Sequence, residues 1–267
     1  WKPNRQTDRV VIFGTFFSVA STAPEPRVVG GTPLEIEDFP YVAAILYYYP
    51  KPDITVQRCI GTIISSFHVL TTAFCFTGAD TTYMSIRAGS TNSMSGGVEV
   101  GIADVIKHPD YLESPRSGDI AVIVIEGTLF MTNAIQNIFL PPQGQYLPVG
   151  SLTKIVSWGF ETDSSSQMLN LKTISLNTVP LEVCQQSYEG ADVLIDDRKC
   201  FYQSVEEAGI CSGDSGAPMA MDRLLIGLST FHIGCGYDEY PDVFTRIDRF
   251  TNWIIAATAG QARIIGS

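Results

Sequence analysis

Basic residues are scarce in this sequence of 267 residues: Lys and Arg total 17 against 28 Asp and Glu, a formal net charge of −11. That deficit excludes the basic footprint of a nucleic-acid binder and makes phosphate-rich surfaces poor partners. Charge of either sign is sparse, at 17%, beside 45% apolar residues, which excludes a disordered polyelectrolyte. No stretch reaches the roughly 18 predominantly apolar residues that a membrane helix needs, so no membrane span is expected. Cys-x-x-Cys spacing is absent, which removes the usual zinc signature. No Asp-rich calcium loop and no Asn-x-Ser/Thr sequon occurs. No metal and no cofactor is expected. Histidine numbers only three, His68, His108 and His232, so each imidazole can be weighed individually.

The first residues have the pattern of an export signal. Lys2, Arg5 and Arg9 make a basic start, an uncharged apolar run covers 10–20, and the small residues Ala20, Ser21 and Ala23 follow. This is the order of a secretory signal peptide over 1–23, complete or truncated, with a short propeptide at 24–27. A secreted, extracellular protein is expected. Export makes the six cysteines interpretable, because an oxidising compartment favours pairing. Cys59, Cys75, Cys184, Cys200, Cys211 and Cys235 allow fifteen connectivities, and spacing does not choose among them. Pairing of neighbours would close short loops, each worth about 2–4 kcal/mol.

Most of the chain consists of short apolar or alternating runs between turn residues. Examples are 41–49, 59–73, 119–126, 152–160 and 223–231, separated by Gly, Pro, Asn and Ser clusters. Runs of this length, rich in β-branched and aromatic residues, predict strands, and many short strands predict a sandwich or barrel. One helix is predicted near the end, where Phe250, Trp253, Ile254 and Ala257 fall at helical spacing behind a cap at Asp248 or Thr251.

Three segments carry chemistry: Arg27-Val28-Val29-Gly30-Gly31, Gly118-Asp119-Ile120-Ala121-Val122 and Cys211-Ser212-Gly213-Asp214-Ser215-Gly216-Ala217-Pro218. With the Cys59/Cys75 spacing between the first two, the chain resembles the trypsin-like (chymotrypsin-family) serine proteases from Val28 to about Ala259. The resemblance implies an all-β fold of two packed antiparallel β-barrels with a C-terminal α-helix. It implies a protease domain over 28–259, a barrel boundary near 135–150 and a tail at 260–267. It also implies that cutting after Arg27 frees the Val28 ammonium to pair with Asp214, since a buried charge needs a partner. Ser215 would be the nucleophile and Asp119 the residue that orients the base. The backbone N–H groups of Gly213 and Ser215 would form an oxyanion hole. Three disulfides common to the family match the pairing of neighbours, 59–75, 184–200 and 211–235.

At one position the pattern breaks. The family's base histidine stands one residue before the second cysteine, in a segment similar to Thr-Ala-Ala-His-Cys. This chain reads Thr71-Thr72-Ala73-Phe74-Cys75. A phenyl ring can neither take a proton from Ser215 nor return one to a leaving amine. His68 falls in an apolar run and reads as a core residue; His108 reads as a surface loop residue. His232 follows Thr230 and Phe231 in the segment resembling the substrate-binding strand, where it would narrow the pocket or serve as a substitute base. Gly209, six residues before Ser215, stands where trypsin's pocket base has an aspartate. Asp242 is either a pocket-wall carboxylate or a loop residue. Gly209, Thr230, His232 and Asp242 are therefore the substrate-binding candidates. Without its imidazole, Asp119 is expected to find donors in Thr230 or nearby backbone N–H groups.

These residues predict a secreted protease homologue that binds a peptide or protein ligand, such as another protease or an inhibitor, without cleaving it. The alternatives are a serine endopeptidase with an unusual or weak base, and a structural protein keeping only the fold. A monomer is expected.

Overall fold

The alternating and continuous apolar runs form thirteen strands in a computed structural model that describes residues 32–145, 147–159, 169–191, 209–235 and 240–266, with 198–203 described as backbone. The expected signal peptide, the propeptide with Arg27, and Val28 lie outside the described residues.

Six strands close a barrel: β2 (Val42–Tyr49), β3 (Ile54–Ile63), β4 (His68–Thr71), β5 (Met84–Ala88), β6 (Val98–Lys107) and β7 (Ala121–Ile125), in the order β2-β3-β4-β7-β6-β5. The other seven make a barrel-like sheet. They are β1 (Thr32–Pro33), β8 (Leu152–Ser157), β9 (Lys172–Thr178), β10 (Arg198–Gln203), β11 (Pro218–Met221), β12 (Leu224–Phe231) and β13 (Asp242–Arg246). Their order is β1-β9-β10-β13-β12-β11-β8, and β8 also pairs with β9. All the pairings between named strands are antiparallel. The fold is thus all-β, as expected.

Why the central strands read as continuous apolar runs follows from the period of two along a strand. In β2, Val42, Ala44 and Leu46 join a large core shared with Val156, Leu228 and Phe244 of the second sheet and with Trp158 just after β8. Ala43 and Ile45 point the other way, into a core drawn from the first barrel. Both faces are buried, so neither face can be polar. Near the junction, Ile60 N–H donates to the Ser215 carbonyl at 2.9 Å and Thr245 Oγ1 to the Asp119 carbonyl at 3.0 Å. The two sheets therefore meet at the residues singled out by sequence.

Among the described residues helix is confined to short pieces. α1 (Leu181–Ser187) was not expected, and α2 (Thr251–Ala257) is the predicted C-terminal helix. Its start corrects the expectation: Phe250 is the N-cap and makes no side-chain cap bond, and the Asn252 N–H donates to Gln143 Oε1 at 2.9 Å. Asp248 is held instead by Arg246, with Nε to Oδ1 at 2.9 Å, and Thr251 Oγ1 bonds the Pro141 carbonyl at 2.8 Å.

Disulfides join Cys59 to Cys75 and Cys211 to Cys235, two of the three pairings implied by the resemblance. Cys184 is also disulfide-bonded, and the Cys200 side chain lies outside the described residues. No helix among the described residues is long and apolar enough to cross a membrane.

Candidate functional site

The segment 209–217 lies between β10 and β11, and its turns require glycine. Gly213 and Gly216 have φ of +89° and +83°, a region that side chains with a Cβ rarely adopt. At Gly216 a Cβ would also run into the Ile60 carbonyl oxygen and Thr71 Oγ1, so the close approach of β3 and β4 forbids one.

Asp214 anchors this loop from beneath. Its carboxylate accepts the Cys211 N–H at 2.7 Å and a short bond from the Ser157 hydroxyl. Burial raises its pKa to about 7, with the N–H groups of Cys211 and Gly159 pulling the other way. The expected Val28 partner lies outside the described residues. The N–H groups of Asp214, Gly216 and Ala217 bond carbonyls at 3.1, 2.8 and 2.8 Å. Those of Gly213 and Ser215 bond nothing among the described residues. They remain available to a ligand atom, the disposition an oxyanion hole requires.

Asp119 is fully buried. One oxygen accepts the Phe74 N–H at 2.8 Å, and the other accepts a short bond from Thr230 Oγ1. Thr230 and a nearby backbone N–H are the donors expected for this carboxylate. Phe74 itself lies in a 3₁₀ turn, Ala73–Phe76, that follows β4. Its ring is half-buried and faces a cleft of about 490 Å³ that Ser215, Gly213, Thr230 and His232 also line.

Sequence reasoning missed the residue that dominates this cleft. The Arg116 guanidinium sits 3.7 Å from the centre of the Phe74 ring and 5.7 Å from that of Phe231. Nη1 donates to the Thr230 carbonyl at 2.7 Å, which fixes the plane over the ring. Stacking of this kind contributes about 0.5–2 kcal/mol. The Arg–aromatic pairing is made by the fold; nothing in the local sequence announces it.

No imidazole among the described residues bonds the Ser215 hydroxyl. His68 is buried in β4 with Nδ1 2.8 Å from Ser65 Oγ, and burial holds its pKa below the usual value. His108 packs its ring 4.9 Å from Phe250 and 5.0 Å from Trp253. His232 lines the cleft, but its Nδ1 is turned to the Gly234 carbonyl at 2.5 Å.

Gly209 and Asp242 are not brought into the cleft. Asp242 is 7% exposed, and its Oδ2 accepts the Ile210 N–H at 2.8 Å. Burial pushes its pKa well up, the nearby Asp214 carboxylate adds to the rise, and the Ile210 N–H opposes it. Rather than a loop residue it is the first residue of β13, which it ties to the loop at Ile210, and it makes no bond with His232 among the described residues. Gly209 borders a separate small cavity beside Asp214 and Lys172.

Over most of its length the chain is similar to known proteins. The family model described as trypsin matches residues 28–254. Trypsin CFT-1 of Choristoneura fumiferana is 30% identical over 254 residues, covering 93% of this chain and 99% of that protein. Trypsin delta and trypsin gamma of Drosophila erecta are each 30% identical over 236 residues, covering 86% of this chain and 87% of theirs.

Proposed function

The chain belongs to the trypsin family of serine proteases, and on that premise we propose that it is a secreted homologue that binds peptide or protein ligands in its cleft without cleaving them. The observation that carries this reading is Phe74 at the position of the base, with its N–H on Asp119 and its ring beneath Arg116. Acyl transfer needs a group that takes the serine proton and then protonates the leaving amine. Neither a phenyl ring nor a guanidinium does this near neutral pH, because arginine stays protonated. In a serine protease, loss of the histidine alone costs about a millionfold in kcat, on the order of 8 kcal/mol. A residue of about 10³–10⁴ over water can survive through oxyanion binding. Such a rate is too slow for digestion or processing, and a cleft that holds peptide without turning it over acts as a decoy, a cofactor or a competitor.

The test is direct. The protein is cleaved after Arg27 and exposed to a fluorophosphonate probe and to a panel of peptide substrates. Negligible labelling of Ser215 and no turnover above background are expected. Rapid labelling with ordinary turnover would overturn the proposal and point to His232, which shares the cleft, as the base.

A further inference from the structure

A strongly acidic protein keeps two cations in this cleft. Arg58 and Arg116 both line it, and none of its described lining residues is a carboxylate. Each guanidinium is half-buried and held in place by carbonyls. Arg58 Nε and Nη2 donate to Cys75 and Thr77 oxygens at 2.7 Å each, and its Cζ lies 5.5 Å from the centre of the Tyr47 ring. Arg116 is fixed by the Thr230 carbonyl and the Phe74 ring. Neither is ion-paired among the described residues. The Asp119 carboxylate, beneath Phe74, is buried and committed to Phe74 and Thr230.

Fixing an arginine through neutral oxygens orders the side chain without cancelling its charge. Partly desolvated cations of this kind attract a carboxylate more strongly than solvated ones, and their planar forks favour it geometrically. The unbonded N–H groups of Gly213 and Ser215 add two neutral donors of the same polarity. Phe74 and Phe231 supply apolar wall, and about 490 Å³ is room for several residues of extended chain. The acidic exterior does not cancel this local field at physiological ionic strength, where screening acts over about 8 Å. A lysine or arginine side chain entering the cleft would meet two like charges.

Resting on the reading of the cleft as a peptide-binding site, we propose that its ligand is an acidic peptide segment whose carboxylates are received by Arg116 and Arg58. The probe is a fluorescein-labelled alanine peptide carrying a run of glutamates, compared with its glutamine and lysine counterparts by fluorescence anisotropy at physiological ionic strength. The glutamate peptide is expected to bind about tenfold or more tighter than the glutamine peptide, and the lysine peptide least. Arg116→Gln should reduce glutamate-peptide affinity about tenfold and glutamine-peptide affinity much less, so that the ratio between the two narrows, and Arg116→Lys should recover part of that ratio. Equal binding of the glutamate and glutamine peptides by the unaltered protein, or preference for lysine, would overturn the charge inference and leave peptide binding standing. An Arg116→Gln protein with normal melting and undiminished glutamate preference would also overturn it. Failure of all three peptides to bind would remove the peptide-binding reading and this inference together.

Discussion

Placing an imidazole beside Asp119 by Phe74→His is the sharpest perturbation this site offers. The carboxylate meant to orient the ring is already present, since Asp119 accepts the Phe74 N–H at 2.8 Å. Each carboxylate oxygen has more than one lone pair, so Asp119 can accept an added Nδ1–H while keeping both present donors. The obstacle is Arg116, whose Cζ lies 3.7 Å from the ring centre. During acylation the imidazole must become imidazolium directly against that guanidinium. Two unit charges about 4 Å apart repel by about 1 kcal/mol in water and about 4 kcal/mol near a protein surface. The Phe74→His variant is therefore expected to recover only part of an ordinary protease rate. Adding Arg116→Gln should raise kcat/KM by a further factor of about 5 to 1000, the range those two energies span. The assay is peptide hydrolysis after cleavage at Arg27, run as a double-mutant cycle with a pH profile for each variant. The acid limb of the single variant should lie at lower pH than that of the double, because a neighbouring cation lowers an imidazole pKa. Full activity in Phe74→His, with no gain and no shift from Arg116→Gln, would refute the electrostatic argument.

Three further outcomes follow from the described contacts. Asp214 titrates near 7 in the folded state, above the ordinary aspartate value, so the protonated form is the one the fold favours. Stability of the uncleaved protein relative to Asp214→Asn should be full below about pH 4 and fall as pH rises through 7, by on the order of 4 kcal/mol; urea unfolding at pH 4 and 8 measures it, and a relative gain at high pH would contradict it. Trp158 is buried in the core shared by both sheets and donates Nε1–H to the Thr91 carbonyl at 2.7 Å. Trp158→Ala should cost about 3–5 kcal/mol in the same urea assay. Ser215 Oγ makes no hydrogen bond among the described residues, so Ser215→Ala should change stability by less than about 0.5 kcal/mol and leave peptide affinity unchanged.

The parts of this molecule that were legible in the sequence are those governed by local period and local backbone need. The strand run 42–46 is legible because both of its faces are buried between two cores, and β8 because Thr153 and Ile155 alternate with the exposed Leu152 and Lys154. α1 stayed hidden because only Cys184 of its seven residues is buried, so it has no apolar stripe to read. The cap of α2 is not legible because Arg246 takes the Asp248 carboxylate, a competition that sequence does not show. Asp242 reads equally as pocket wall or loop residue until the fold turns it inward to the Ile210 N–H. The placement of Arg116 is wholly tertiary. It sits three residues before Asp119 in sequence, yet its significance comes from lying on a ring delivered by another part of the barrel.

The retained motif residues have structural duties that do not depend on catalysis. Asp214 receives the Cys211 N–H and the Ser157 hydroxyl, and so holds the loop. Asp119 receives Phe74 and Thr230, and so ties the first barrel to β12. Gly216 is required by the approach of Ile60 and Thr71. Losing any of them would leave a buried donor without a partner or force the backbone apart, penalties of about 1–3 kcal/mol each. A chain released from proteolysis would still be under pressure to keep them. The base position is different, because its backbone N–H supplies the bond to Asp119 whatever side chain it bears. A phenylalanine at position 74 therefore fits this fold, and its ring gives Arg116 a surface to rest on. One side chain, Phe74, thus stands beside Asp119 and carries the cleft-lining Arg116, so the proposed absence of cleavage and the proposed anion-binding surface share a structural origin.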